Sequence, residues 1–205
     1  MPLRRFSPRE LIEAHNATRS DVAATTFFSP RFQKQRERYC AGHFALAYEV
    51  TVAPCAVVLQ EPDPGNHIDF FLESKSGCHE FQITEVQEPG RRRGDEYRST
   101  QSVRHVDERE MIEAAEKGPE WITAAIQRKR GAYAGALSRL NLLVYVNFWA
   151  RGLNYERIVA TVPHHANDFG SIWLITGNLF CSIKGSALLG NVSDWRPTPA
   201  ITSEA

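Results

Sequence analysis

The chain has 205 residues, with 24 Lys+Arg balanced by 24 Asp+Glu, 42% hydrophobic and 23% charged side chains. This ordinary globular composition excludes a disordered tail, a collagen and a membrane bundle, and the neutral total excludes a generic basic nucleic-acid coat. The charge is uneven, however: residues 1–49 carry +3, residues 50–90 carry −6, residues 91–139 carry +3, and the remainder is neutral.

Ser7-Pro8-Arg9-Glu10 has the form of a capping box with Pro in the first turn, and predicts a helix from there to about His15. Ser29-Pro30 opens a longer helix to about Tyr48. Val50–Leu59 is β-branched and reads as a bent or edge strand because of Pro54. The Pro- and Gly-rich residues 61–66 read as a turn. His67–Glu73 and Cys78–Val86 predict a hairpin around Ser74-Lys75-Ser76-Gly77. Residues 87–100 read as an exposed Arg-rich loop. After Gly118-Pro119 a helix is expected from about Glu120 to Arg139, followed by a buried strand over Leu140–Phe148. A helix over Asn154–His165 and a hairpin of Ser171–Thr176 with Leu179–Ile183 come next. Residues 194–205 are expected to be loose. The whole reads as one domain: an N-terminal helical extension to about 28, a core over 30–148, helix and hairpin additions over 149–193, and the tail. The longest apolar run, Leu140–Ala150, is far too short to span a bilayer. Cys40, Cys55, Cys78 and Cys181 form no CxxC pair, and no secretion signal opens the chain. Reduced thiols and a cytoplasmic setting are therefore expected.

The acidic stretch holds the chemistry. Strand alternation places Phe81 and Ile83 on one face and Glu80, Gln82 and Thr84 on the other. Asp69 sits between Ile68 and the apolar Phe70-Phe71-Leu72, and a carboxylate in apolar surroundings needs a partner. The hairpin brings Asp69 and Glu80 near one end of neighbouring strands. Carboxylates this close repel unless a cation lies between them. A solvated strand face remains the alternative.

Asp69 followed by Glu80-Phe81-Gln82 resembles the motif of the PD-(D/E)xK nuclease superfamily, and the order of elements over Pro30–Phe148 resembles its core. The resemblance implies an α/β restriction-endonuclease-like αβββαβ core, a mixed central sheet flanked by helices. It also implies Mg²⁺ or Mn²⁺ held by Asp69 and Glu80, with the Phe81 carbonyl as a further ligand. DNA is the implied partner, and the chemistry is phosphodiester hydrolysis by an endonuclease or exonuclease. A homodimer is a further expectation. The position before Asp69 is Ile68 rather than Pro. The motif Lys is Gln82, which cannot supply positive charge. Either the chain is a non-cleaving relative that binds nucleic acid or a protein, or the cation comes from elsewhere. Lys129 is the candidate source: with Ile122, Ile126 and Tyr133 it recurs at one helical face. Lys129-x-x-x-Tyr133 also resembles the Gln-x-x-x-Tyr element of RecB-like nucleases. Glu37, on the first long helix, is a further candidate acid, and Glu49 is its alternative.

Arg91-Arg92-Arg93 between Gly90 and Gly94 follows the hairpin directly. These side chains could hold a phosphate backbone and Tyr97 could stack on a base; pairing with Asp95 and Glu96 is the alternative. The stretch from Glu80 through Tyr97 resembles an uncharacterised bacterial family of the same superfamily. His164-His165 has no Cys or His at a zinc-like spacing. No Walker, GxGxxG or GxSxG motif is present, so nucleotide-binding and serine-hydrolase readings lack support.

Overall fold

The first helix begins where its cap dictates. In the computed structural model, which describes residues 3–27, 29–60, 68–91, 106–133, 137–162 and 168–200, α1 spans Pro8–Asp21. The Ser7 hydroxyl accepts from the Glu10 N–H, and the Glu10 carboxylate accepts from the Ser7 N–H. This helix runs six residues past the expected His15. A short α2 covers Ala24–Phe27. A 3₁₀ turn over Pro30–Phe32 then leads into α3, Gln33–Thr51.

Eight strands form one sheet among the described residues, each paired with its sequence neighbours: β1 Arg4–Phe6, β2 Cys55–Leu59, β3 Phe70–Ser74, β4 Gly77–Val86, β5 Leu140–Val146, β6 Ile172–Ile175, β7 Leu179–Lys184 and β8 Arg196–Pro197. Strands β1 to β4 are antiparallel. Strands β4, β5 and β6 run parallel. The antiparallel pattern then resumes through β8. A parallel neighbour needs a long crossover. The β4-to-β5 crossover contains α4, Glu108–Gly131, and the β5-to-β6 crossover contains α5, Tyr155–Thr161.

The sheet is covered on both faces. Phe44 and Tyr48 of α3 pack over Phe70, Phe81 and Trp173. Phe70 and Phe81 stack with centroids 4.9 Å apart, and Phe44 lies 5.3 Å from Phe81. On the other face Ile122, Ala125 and Ile126 of α4 pack with Leu142, Val144 and Val86. Burying each large apolar side chain contributes about 1.5–3 kcal/mol, so the two layers fix which way every residue of β4 must face.

The strand expected at an edge over Val50–Leu59 is interior: β2 starts at Cys55, after Pro54, and pairs with both β1 and β3, while Val50 and Thr51 close α3. Three further expectations need correction. The helix before β5 starts not after Pro119 but at an Asp107 cap, whose carboxylate accepts from the Glu110 N–H at 2.8 Å, and it ends at Gly131 rather than Arg139. Pro119 lies inside it. Residues 195–197 of the expected loose tail are not free either, because Arg196–Pro197 pairs with β7 and the Trp195 indole donates to the Leu153 carbonyl at 2.8 Å. The third is at the N-terminus, where Arg4–Phe6 is an edge strand of the sheet. The turn expected over 61–66 and the His164-His165 pair lie outside the described residues.

Candidate functional site

The β3–β4 hairpin sets the geometry. Phe70 pairs with Phe81 and Phe71 with Glu80. Continuing that register by one residue puts Asp69, just before β3, opposite Gln82. Glu80 is then its diagonal neighbour, roughly 7–8 Å away rather than facing it. The Asp69 N–H donates to the Phe81 carbonyl at 2.9 Å, so that carbonyl is already engaged. The Asp69 carboxylate accepts the Ile83 N–H at 2.8 Å on Oδ2. Its other oxygen lies 3.3 Å from the Lys34 ammonium.

Lys34 is the residue that sequence reasoning missed. It lies one residue into α3, and its ammonium sits between two carboxylates: 2.7 Å from Glu37 Oε2 and 3.3 Å from Asp69 Oδ1. Asp69 is 11% exposed, Glu37 18% and Lys34 52%. Glu37 is held independently on its other oxygen, which accepts from the Gln33 amide at 2.8 Å. Apart from the ammonium, Glu37 Oε2 has no hydrogen-bond partner among the described residues. Burial draws the Lys34 ammonium down, but Glu37 and then Asp69 outweigh it and hold it above the ordinary lysine value. The structure thus brings Glu37, a candidate from sequence, to Asp69 from across the core.

Lys129 approaches from the opposite layer. It is half-buried on the α4 face that carries Ile122 and Ile126, while Arg128 and Arg130 are exposed. Arg130 pairs with Asp168 at 2.6 Å. Burial holds the Lys129 ammonium below its ordinary value; Asp69 and Glu37 oppose that shift and Lys34 adds to it. All three therefore lie within electrostatic reach of Lys129. The Tyr133 hydroxyl is raised by burial and then by Asp69. Gln82, opposite Asp69, is buried, and its Oε1 has no partner among the described residues. A buried oxygen left unpartnered costs about 1–3 kcal/mol, so Gln82 Oε1 is a ready acceptor for a water or other donor entering here.

The β4 backbone at Glu80 is fixed from behind. The Asn141 amide donates to the Glu80 carbonyl at 2.9 Å, the Ser171 hydroxyl donates to Asn141 Oδ1 at 2.7 Å, and the Trp173 indole donates to Ser171 at 2.9 Å. The Glu80 side chain is half-buried. Arg91 does not extend as a free phosphate clamp. It is mostly buried, donating to Glu88 at 3.1 Å and to the Asn147 carbonyl at 2.9 Å. Arg92, Arg93 and Tyr97 lie outside the described residues.

The donors suit a hard divalent cation. Mg²⁺ takes oxygen ligands, commonly one or two carboxylates with water. Glu37 and Asp69 already converge on a stand-in cation, the Lys34 ammonium. Among the described residues no three His, Cys, Asp or Glu side chains form a ready-made cage, so an ion here would take two carboxylates and water.

Together these features define a mixed α/β protein in which Asp69, just before β3, and Glu37 of α3 share the Lys34 ammonium, with Lys129 of α4 within electrostatic reach. A family model matches residues 9–179, and the chain belongs to that family, described as "Putative endonuclease, protein of unknown function (DUF1780)". The chain is similar to a solved structure from Pseudomonas aeruginosa strain PAO1, a protein of unknown function described as of the monooxygenase superfamily. That similarity covers 95% of both chains at a TM-score of 0.50 and 14% identity, a likeness of fold alone. No curated protein matches the chain. Among the described residues, no helix is long and apolar enough to cross a membrane.

Proposed function

We propose that the protein cleaves phosphodiester bonds in nucleic acid, DNA first, in a reaction that depends on Mg²⁺ or Mn²⁺. The observation that carries this reading is the convergence of Glu37 and Asp69 on one cation, opposite Gln82 and within reach of the Lys129 charge. The element order supports it: α3, three antiparallel strands, α4, then β5 parallel to β4 corresponds to the αβββαβ core of PD-(D/E)xK nucleases. The family's description as an endonuclease points the same way.

A divalent ion at such a site would lower the pKa of bound water and polarise the phosphate. The residues of this chain supply the remainder. Asp69 and Glu37 would hold the ion, with Glu80 the diagonal neighbour of Asp69 on β4. The unpartnered Gln82 Oε1 accepts a hydrogen bond from the attacking water and so orients it. Lys129, half-buried and without a close ion pair among the described residues, supplies the positive charge that Gln82 cannot, stabilising negative charge that develops on the phosphate. Arg92, Arg93 and Tyr97 follow the anchored Arg91 in sequence and contact the nucleic-acid backbone and a base.

Plasmid and oligonucleotide cleavage with and without Mn²⁺ tests the reading: wild type cuts only with the ion, Asp69→Asn and Glu37→Gln do not cut, and Lys129→Met cuts at least about a hundredfold more slowly. Retained DNA affinity without cleavage in wild type would favour the second reading, a binding protein on the same fold, which the Gln at the motif Lys position favours.

A further inference from the structure

Lys34 stands where a cation would stand, yet neither carboxylate depends on it for its position. Asp69 keeps its Oδ2 bond from the Ile83 N–H, and its own N–H keeps the Phe81 carbonyl. Glu37 keeps its Oε1 bond from Gln33. Both acids are only slightly exposed, whereas Lys34 is 52% exposed. The ammonium sits on a flexible four-carbon stem at the solvent end of α3. Its departure therefore leaves two pre-positioned carboxylates and uncovers one unbridged oxygen on each, Oε2 of Glu37 and Oδ1 of Asp69. Two unit negative charges held this close repel unless a cation lies between them, and a single ammonium neutralises only one of them.

We propose that Lys34 is a displaceable place-holder: its ammonium holds the Glu37–Asp69 pair closed in the ion-free protein and swings out to solvent when a divalent cation enters. This rests on the divalent-ion reading of the site. It makes ion binding a competition between a tethered single charge and a free double charge. It also assigns Lys34 a positioning role in which its charge opposes ion entry, the reverse of a residue that recruits the ion.

Calorimetric titration of Mn²⁺ into the wild-type chain, Lys34→Met and Lys34→Arg tests it, with thermal melts of each in the presence and absence of Mn²⁺. Lys34→Met is expected to bind Mn²⁺ about tenfold more tightly or better, the scale on which one unit charge a few ångströms away acts through solvent, as it does for a half-exposed side chain. Its ion-free form is expected to melt lower than wild type, with a larger rise on adding Mn²⁺. Lys34→Arg, which keeps the charge, is expected to stay within about threefold of wild type on that scale. Equal or weaker Mn²⁺ binding by Lys34→Met, where wild type binds, overturns the place-holder while leaving the ion site standing. Failure of all three to bind overturns both. A lowered ion-free melt with unchanged Mn²⁺ affinity shows a structural ion pair only, and also overturns it.

Discussion

Replacing Asp69 separates two tasks that its two oxygens perform. Oδ2 satisfies the Ile83 N–H at 2.8 Å, and Oδ1 faces the Lys34 ammonium at 3.3 Å. Asp69→Asn keeps an oxygen for the Ile83 N–H and removes the charge. The lost ion pair is screened, because Lys34 is half-exposed, so it contributes about 0–1 kcal/mol. Asp69→Ala removes the acceptor as well, leaving a partly buried N–H unpaired at about 1–3 kcal/mol. For a chain of this size each kcal/mol shifts Tm by about 2–4 °C. Thermal melts followed by circular dichroism in ion-free buffer should therefore rank wild type, Asn and Ala in falling order. The Ala variant should lie roughly 2–16 °C below wild type and the Asn variant within about 4 °C of it. Cleavage should be lost in both, because both remove the charge. Equal melts for Asn and Ala would refute the backbone role given to Oδ2, and cleavage retained in Asn would refute the role given to the charge.

Lys129→Met keeps the apolar stem on the Ile122–Ile126 face and removes a half-buried ammonium that burial already disfavours; Tm should hold or rise while cleavage falls by at least about a hundredfold, the scale of a lost electrostatic stabiliser. A fall in Tm of the same order as the loss of cleavage would assign Lys129 to structure instead. His43 is buried, with its ring 3.2 Å from the Thr198 hydroxyl, and burial pushes its pKa down to about 4. The neutral ring is the folded form, so its stabilisation is complete above the ordinary value near 6.5 and is lost as pH falls from there toward 4, at up to about 1.4 kcal/mol per pH unit. Urea midpoints between pH 7.5 and 4.5 should fall less steeply in His43→Gln than in wild type; parallel slopes would contradict this. Gly118→Ala gains helix propensity of about 1 kcal/mol, but its Cβ would lie 2.9 Å from both Leu153 Cδ2 and Phe148 Cζ. Net destabilisation of about 1–2 kcal/mol is expected from overpacking, read as a lower urea midpoint, and a neutral or stabilising result would show that the ring moves freely.

Sequence carried the local rules and missed the long-range ones. Alternation along Glu80–Glu85 correctly separated Phe81 and Ile83 from Glu80, Gln82 and Thr84, because two apolar layers oblige each β4 residue to take a face. Helical spacing correctly placed Lys129 beside Ile122 and Ile126. Lys34 was hidden because Lys34 and Glu37, three apart on a helix, read as an ordinary solvated pair; its link to Asp69 spans 35 residues and exists only once α3 crosses the sheet. Pro119 read as a helix start, since Pro is costly inside a helix. Tertiary contacts override that here: Gly118 admits Phe148 and Leu153 against the helix backbone, and Asp107 supplies the cap upstream. The sequence leaves Arg91 open between a phosphate ligand and pairing with Asp95 or Glu96, because nothing local shows that the Asn147 carbonyl, 56 residues on, takes its guanidinium alongside Glu88.

The central claim is that Glu37 and Asp69 form one divalent-cation site serving phosphodiester cleavage. A single calorimetric experiment tests it most directly: Mn²⁺ titrated into wild type and into Glu37→Gln, at matched protein concentration, beside Asp69→Asn. One saturable site in wild type, lost in both variants although both stay folded, is the expected result. Unchanged Mn²⁺ binding in either variant, or none in wild type, would contradict it.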